Sequence, residues 1–371
     1  MVYLLKFLNH GLCLSGHSWN HSFKPLCQLK QRMEYHGMLN QRVLTAMQKR
    51  DIEKVQQLLL MPNYDLNYAS QKRITPLILA SQLGLFTVCK KLVTLKVDLG
   101  LNDLDGRTAL HHSCYHGNKD VADLLIKAGA NISVVSNEGD TPLHEAISSG
   151  HFDTVELLIQ AGSDVNRPNH VTGSAPLDLA VLHERSEVTR LLIKNGANVH
   201  YRSRAKETAL HYAVQVASMD IIQQLLDAGA DLNSLNNIGE SPLTVAIQER
   251  KLSVVKFLVE TGCRLDHTDS LSPMYIACRQ NSQDIICFLL SEGFNVSADR
   301  YLMRYTYLHL VESNPQLLEA IFHRIENPAS LKEHCRTVIR KALRPNMMGK
   351  ITKLSLPKLM KVWIQTDNIY S

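Results

Sequence analysis

His111, His112, Cys114 and His116 lie within one six-residue stretch and are the side chains best equipped for chemistry in this chain. A thiol beside imidazoles can act as a nucleophile with its base, and the same donors can bind a transition metal. Recurrence argues for something else. His144, His211 and His309 share the place of His111, each the fourth residue of one short motif, and Cys278 shares the place of Cys114, six residues past the motif start. A residue that returns with a repeat serves the repeat, so the cysteines read as small core fillers. No Gly-x-x-x-x-Gly-Lys-Ser/Thr, Gly-x-Ser-x-Gly or His-Glu-x-x-His is present, so no phosphate cradle, nucleophile elbow or zinc helix is expected. The chain is not expected to be an enzyme, or to need a cofactor or metal.

The elements behind these residues are set by the motif. It opens at Thr75, Thr108, Thr141, Ala175, Thr208, Ser241, Ser272 and Thr306, at intervals of 33, 33, 34, 33, 33, 31 and 34 residues. A further unit begins near Arg42, one period earlier, which makes about nine. Gly129, Gly162, Gly196, Gly229, Gly262 and Gly293 each follow a Leu-rich amphipathic stretch and read as left-handed helix stops. Gly84, Gly117 and Gly150 fit a tight turn between two antiparallel helices. Where the motif has proline, it sits in the first helical turn, after a Thr or Ser able to cap.

Three markers in phase make this an all-α array of helix pairs, and it resembles the ankyrin repeat, with its period of 33 and Thr-Pro-Leu-His-x-Ala signature. The resemblance covers roughly residues 40–320. It implies a solenoid in which each unit buries its apolar face only against its neighbours. It also implies that the motif histidine bridges adjacent turns, and that the turn tips and the concave inner-helix face bind another protein. Fold alone does not say which protein.

Composition agrees with a folded chain. The 371 residues are 45% hydrophobic and 20% charged, too apolar for wholesale disorder. The net charge of +5 is unevenly laid out: residues 321–371 carry +7 and 1–40 carry +3, leaving 41–320 at −5. A mildly acidic body is not a nucleic-acid face. No run of 18 apolar residues suggests a membrane span. Cys13, Cys27, Cys89, Cys114, Cys263, Cys278, Cys287 and Cys335 contain no Cys-x-x-Cys pair, and reduced thiols in the cytoplasm, or the nucleus as well, are the simplest reading. The leader at 1–37 lacks the basic start of a secretory signal. An array over 38–325 is expected after it.

The phase ends near residue 326. Ser330 can cap a fresh helix in which Leu331, Cys335, Val338 or Ile339, and Ala342 share one face. Farther on stand Leu354-Ser355-Leu356-Pro357 and the apolar run Lys358 to Ile364. Residues 326–371 resemble a SOCS box, whose first helix has Leu, three residues, Cys, three residues and an aliphatic, followed downstream by Leu-Pro-aliphatic-Pro. Here Ser355 replaces the first of those prolines.

An array followed by such a box is similar to the ankyrin-repeat and SOCS-box family. That resemblance implies a substrate receptor of a cullin-RING ubiquitin ligase. Leu331, Cys335 and Ile339 would enter elongin C, which brings elongin B. Leu354, Leu356 and Pro357 would select a cullin-5 class scaffold, with the RING-box protein arriving on the cullin. The other reading is an ankyrin scaffold with a capping tail and no ligase link. For the target protein, the turn residues Glu138, His170, Arg202, Arg204 and Lys206 are the candidates, the basic trio suiting an acidic partner. Neither nucleic acid nor membrane is an expected partner.

Overall fold

Each inner helix starts where the motif hydroxyl can reach back into its first turn. Thr75 Oγ1 accepts from the Ile78 amide at 3.2 Å, Thr141 from His144 at 3.4 Å, Ser241 from Thr244 at 3.3 Å and Ser272 from Tyr275 at 3.1 Å. These bonds satisfy donors that a helix start otherwise leaves without a partner. Pro76, Pro142, Pro176, Pro242 and Pro273 take the first helical position. Ala175 has no hydroxyl, and there the Asp178 carboxylate reaches back instead, accepting from the Ala175 amide at 2.8 Å.

The computed structural model describes residues 37–61, 64–265, 272–292 and 294. Among them are sixteen helices and no strand, arranged as eight consecutive pairs. Unit 1 is 37–48 (α1) with Ile52–Leu59 (α2), unit 2 Pro76–Gln82 (α3) with Phe86–Thr94 (α4), and unit 3 Ala109–Tyr115 (α5) with Lys119–Lys127 (α6). Unit 4 is Pro142–Ser149 (α7) with Phe152–Gln160 (α8), unit 5 Pro176–Leu182 (α9) with Ser186–Lys194 (α10), and unit 6 Ala209–Val216 (α11) with Met219–Asp227 (α12). Unit 7 is Pro242–Gln248 (α13) with Leu252–Thr261 (α14), and unit 8 Pro273–Arg279 (α15) with Gln283–Ser291 (α16). The expected ninth unit, with His309, lies outside the described residues, as does the segment 1–36. So do residues 266–271 of the shortened seventh-to-eighth interval, yet α13 still packs on α15 and α14 on α16.

The core is a strip that runs through every pair. Leu77, Leu110, Leu143, Leu177, Leu210, Leu243 and Met274 fill one inner-helix position, and all are buried. Leu92, Leu125, Leu158, Leu192, Leu225, Leu258 and Leu289 fill the matching outer-helix position, also buried. Removing such a leucine costs about 2–5 kcal/mol. The main helix contacts join partners within a unit or in adjacent units, so stability is built from neighbour interfaces.

The turn inside each pair is left-handed in all eight units, whereas glycine marks it in only three. Gly84, Gly117 and Gly150 hold the position in units 2 to 4, and Arg50, Glu184, Ala217, Arg250 and Asn281 hold it elsewhere with φ of 52–57°. Glycine has a second use at Gly117: a Cβ there would meet the His151 ring at 2.4 Å. That ring docks so that Nε2–H donates to the Tyr115 carbonyl, 3.1 Å away.

Candidate functional site

The histidine-cysteine stretch is structural. The His111 ring is wholly buried, its Nδ1 accepting from the Thr108 amide at 3.2 Å. Nε2 therefore carries the proton and donates to the Asp140 carbonyl of the next unit at 3.1 Å. His211 does the same with Thr208 and the Glu240 carbonyl, at 3.1 and 3.2 Å. Burial pushes His111 down to about 4, so it stays a neutral strut at physiological pH. Cys114 and Cys278 are buried, and burial raises the Cys114 thiol pKa. His112 Nε2 lies 2.8 Å from Asp103 Oδ2, and the exposed His116 ring meets Tyr115 edge-on at 5.1 Å. Among the described residues, no three His, Cys, Asp or Glu converge as metal ligands.

His144 departs from the pattern. It caps Thr141 as the others do, with 3.2 Å from the Thr141 amide to Nδ1, but its Nε2 finds no hydrogen-bond partner. The interval before unit 5 is 34 residues, one longer than its neighbours.

That extra residue also changes how the turn tips, or fingers, join. Between units 3 and 4 the Asn137 amide donates to the Asp105 carbonyl at 2.8 Å, and between units 6 and 7 Asn237 donates to Ala205 at 2.9 Å. At unit 5 the Val171 amide bonds Asn169 Oδ1 at 2.7 Å, as the Ile238 amide bonds Asn236 Oδ1 at 3.1 Å in unit 7. The Asn169 side chain then takes over, Nδ2 donating to the Glu138 carbonyl at 2.9 Å and to Asp140 Oδ1 at 2.6 Å. At unit 6 the Arg204 guanidinium donates to the His170 carbonyl. Five fingers, from unit 3 to unit 7, form one continuous hydrogen-bonded ridge.

All five target-binding candidates lie on this ridge and all are exposed. Glu138 is on the unit 4 finger, 3.3 Å from Arg107 Nη2. His170 is on that of unit 5 and holds Arg204 through its carbonyl. Arg202 reaches from unit 6 to the Leu235 carbonyl of unit 7, and Lys206 is left-handed at φ 58°. Arg202 and Arg204 thus spend part of their donor capacity on the ridge itself.

Sequence reasoning passed over two features here. Glu145 is buried on α7, its Oε1 2.9 Å from Arg107 Nε. Burial raises it to about 7 against the pull of Arg107, whose guanidinium also lies 5.8 Å from the Tyr115 ring centre. The other is a set of apolar finger residues, Leu104, Val171 and Ile238, all exposed. Their only signal was a large aliphatic side chain just before a turn glycine. The elongin candidates Leu331, Cys335 and Ile339 and the cullin candidates Leu354, Leu356 and Pro357 lie outside the described residues.

The stacked pairs and bridged fingers define an ankyrin-repeat protein. The family model for ankyrin repeats (3 copies) matches residues 43–136, 77–169, 131–203, 168–236 and 210–300, and that for the SOCS box matches 327–362. The chain belongs to the ankyrin-repeat and SOCS-box proteins. Among solved structures it is similar to the ankyrin repeat domain of Bcl-3, a member of the IkappaB protein family, at 28% identity and a TM-score of 0.53. That match covers 59% of this chain and 97% of the other. It also shares its fold with the human ASB11 ankyrin repeat domain, at 24% identity and a TM-score of 0.52, over 58% of this chain and 97% of the other. Ankyrin repeats imply protein binding, a SOCS box implies an elongin and cullin connection in general, and together they suggest an adaptor. Among the described residues, no helix is long and apolar enough to cross a membrane.

Proposed function

We propose that this chain is the substrate-recognition subunit of a cullin-RING ubiquitin ligase and performs no chemistry of its own. The observation that carries the reading is the SOCS-box match at 327–362, directly after the repeat array. In this reading the array holds a target protein while Leu331, Cys335 and Ile339 dock elongin C and, through it, elongin B. A leucine and a thiol one helical turn apart make a compact apolar knob, and burying one leucine contributes about 1.5–3 kcal/mol. Leu354, Leu356 and Pro357 meet a cullin-5 class scaffold, which carries the RING-box protein. The chain then supplies proximity, raising the effective concentration of a target lysine beside the activated ubiquitin thioester. Ubiquitination and degradation of the target follow.

The test is a pull-down comparing the intact chain with Leu331→Pro plus Cys335→Phe, read out on elongin B, elongin C and the cullin. Circular dichroism checks that both chains fold. The intact chain captures elongins and the variant loses them. An intact, folded chain that never captures elongins refutes the receptor reading and leaves an ankyrin scaffold with a capping tail.

A further inference from the structure

The finger ridge carries an order that binding by fold alone does not require. Leu104, Val171 and Ile238, 57%, 48% and 63% exposed, stand on the fingers of units 3, 5 and 7. The gaps between them are charged. Asp105 and Glu138 flank the first gap, Glu138 exposed but 3.3 Å from Arg107 Nη2, and Arg204 and Lys206 occupy the second. Single exposed aliphatics are ordinary. Three of them at every second unit, on fingers tied together from Asp105 to Asn237, form a fixed array of anchors. Among the described residues, neither Arg204 nor Lys206 forms an ion pair with a carboxylate, so the charge of unit 6 is open to a partner.

We propose that this ridge is the track for one extended segment of the target protein. Apolar residues of the segment meet Leu104, Val171 and Ile238, a basic residue meets Asp105 and Glu138, and an acidic residue meets Arg204 and Lys206. This rests on the receptor reading and adds the chemistry of what is received. The spacing suits an extended chain. Packed helices lie roughly 8–10 Å apart, so two units advance about 16–20 Å, and a strand rises about 3.3 Å per residue. Five or six residues then separate consecutive apolar anchors, and about thirteen span the ridge. Because the fingers are already tied together, the ordering cost falls on the segment alone. A segment with one charge sign in both gaps meets repulsion in one of them, which makes the ridge selective as well as adhesive.

Three fluorescein-labelled peptides of about thirteen residues test this against the full chain by anisotropy. Each has leucine at both ends and the centre, Ser/Gly spacers and one charged residue two positions inward from each end, so that all five side chains share one face of the extended chain. One peptide carries Lys and Glu, the second Lys twice, the third Glu twice. The mixed peptide fits in either chain direction and the others in neither. It binds roughly tenfold more tightly than both controls. Leu104→Ser plus Ile238→Ser weakens it several-fold, and in Asp105→Lys plus Glu138→Lys the double-Glu peptide becomes the tightest. Equal binding of the three peptides to the unaltered chain, or no saturable binding of the mixed one, overturns the proposal. Elongin capture by the same preparation is the independent arm. A chain that captures elongins but ignores the peptide pattern loses the track and keeps the receptor reading. One that reads the pattern without capturing elongins keeps the track alone.

Discussion

The junctions on either side of unit 5 solve the same problem with different atoms. Where the interval is 33 residues, between units 3 and 4, a backbone amide of one finger reaches the carbonyl of the one before. Where a residue has been added, Asn169, then Arg204, reaches across with a side chain. A solenoid therefore tolerates a length change if it falls in a finger, because the helices beneath keep their packing and only the tie between turns is rebuilt. The cost moves from sequence length to side-chain identity.

Substitutions can break this comparison. Asn169 is buried and holds four bonds, two donated across the junction and two accepted from Val171 and Thr172. Asn169→Ala should lower stability in urea melts by about 2–4 kcal/mol, since four part-buried hydrogen bonds are lost, one of them to the Asp140 carboxylate. Asn137→Ala loses only the exposed Nδ2 bond to the Leu104 carbonyl at 2.8 Å and keeps the backbone tie, so about 0.5–1 kcal/mol is expected. Equal losses would show that side chain and backbone ties are not alternatives.

Asp178 sharpens the contrast from beneath the same finger. It stands where other units have the motif histidine, is buried, and burial raises it to about 7 while the Ala175 amide pulls it down. An acid raised from 3.8 binds its proton more tightly folded than unfolded, so it favours folding below about pH 4. That contribution is lost as pH rises to about 7. Asp178→Asn keeps an acceptor for the Ala175 amide and removes the charge. It should raise the thermal midpoint at pH 8 by the equivalent of about 1–3 kcal/mol and by much less at pH 5. A gain independent of pH would refute the assignment.

An effect smaller than those at Asn169 and Asp178 concerns the left-handed finger position. Lys206 occupies it at φ 58°, where units 4 and 5 have Gly139 and Gly173. Lys206→Gly should stabilise by about 1 kcal/mol. The reverse change, Gly139→Ala, also brings a Cβ within 2.7 Å of Asn169 Oδ1 and should cost more than Lys206→Gly gains. Chemical denaturation of the pair gives both signs.

How much of this the sequence disclosed depended on whether a feature repeats. The eight described helix pairs were legible because their markers recur with the repeat, and the bridging by His111 and His211 was an expectation that the family resemblance implied. The left-handed turn of each pair was legible in three units only, because glycine is favoured there but not required, as Ala217 shows. The takeover by Asn169 was not legible. A count of 34 reveals an extra residue but not which atom then reaches the carbonyl. Leu104, Val171 and Ile238 were hidden for a similar reason: aliphatics in turns follow no helical or strand period.

The buried cysteines give the array a set of built-in clocks. Cys89 in unit 2, Cys114 in unit 3 and Cys278 in unit 8 are covered, whereas Cys287 of unit 8 is exposed. Burial pushes the Cys89 thiol up to about 12, so alkylating reagents reach it as a reactive thiolate only when its unit opens. Because each unit leans on its neighbours, opening should start at the ends and spread inward. Mass-resolved labelling of the native chain would therefore time the fraying of a solenoid unit by unit, with Cys287 as the zero of the scale and Cys114 among the last to react.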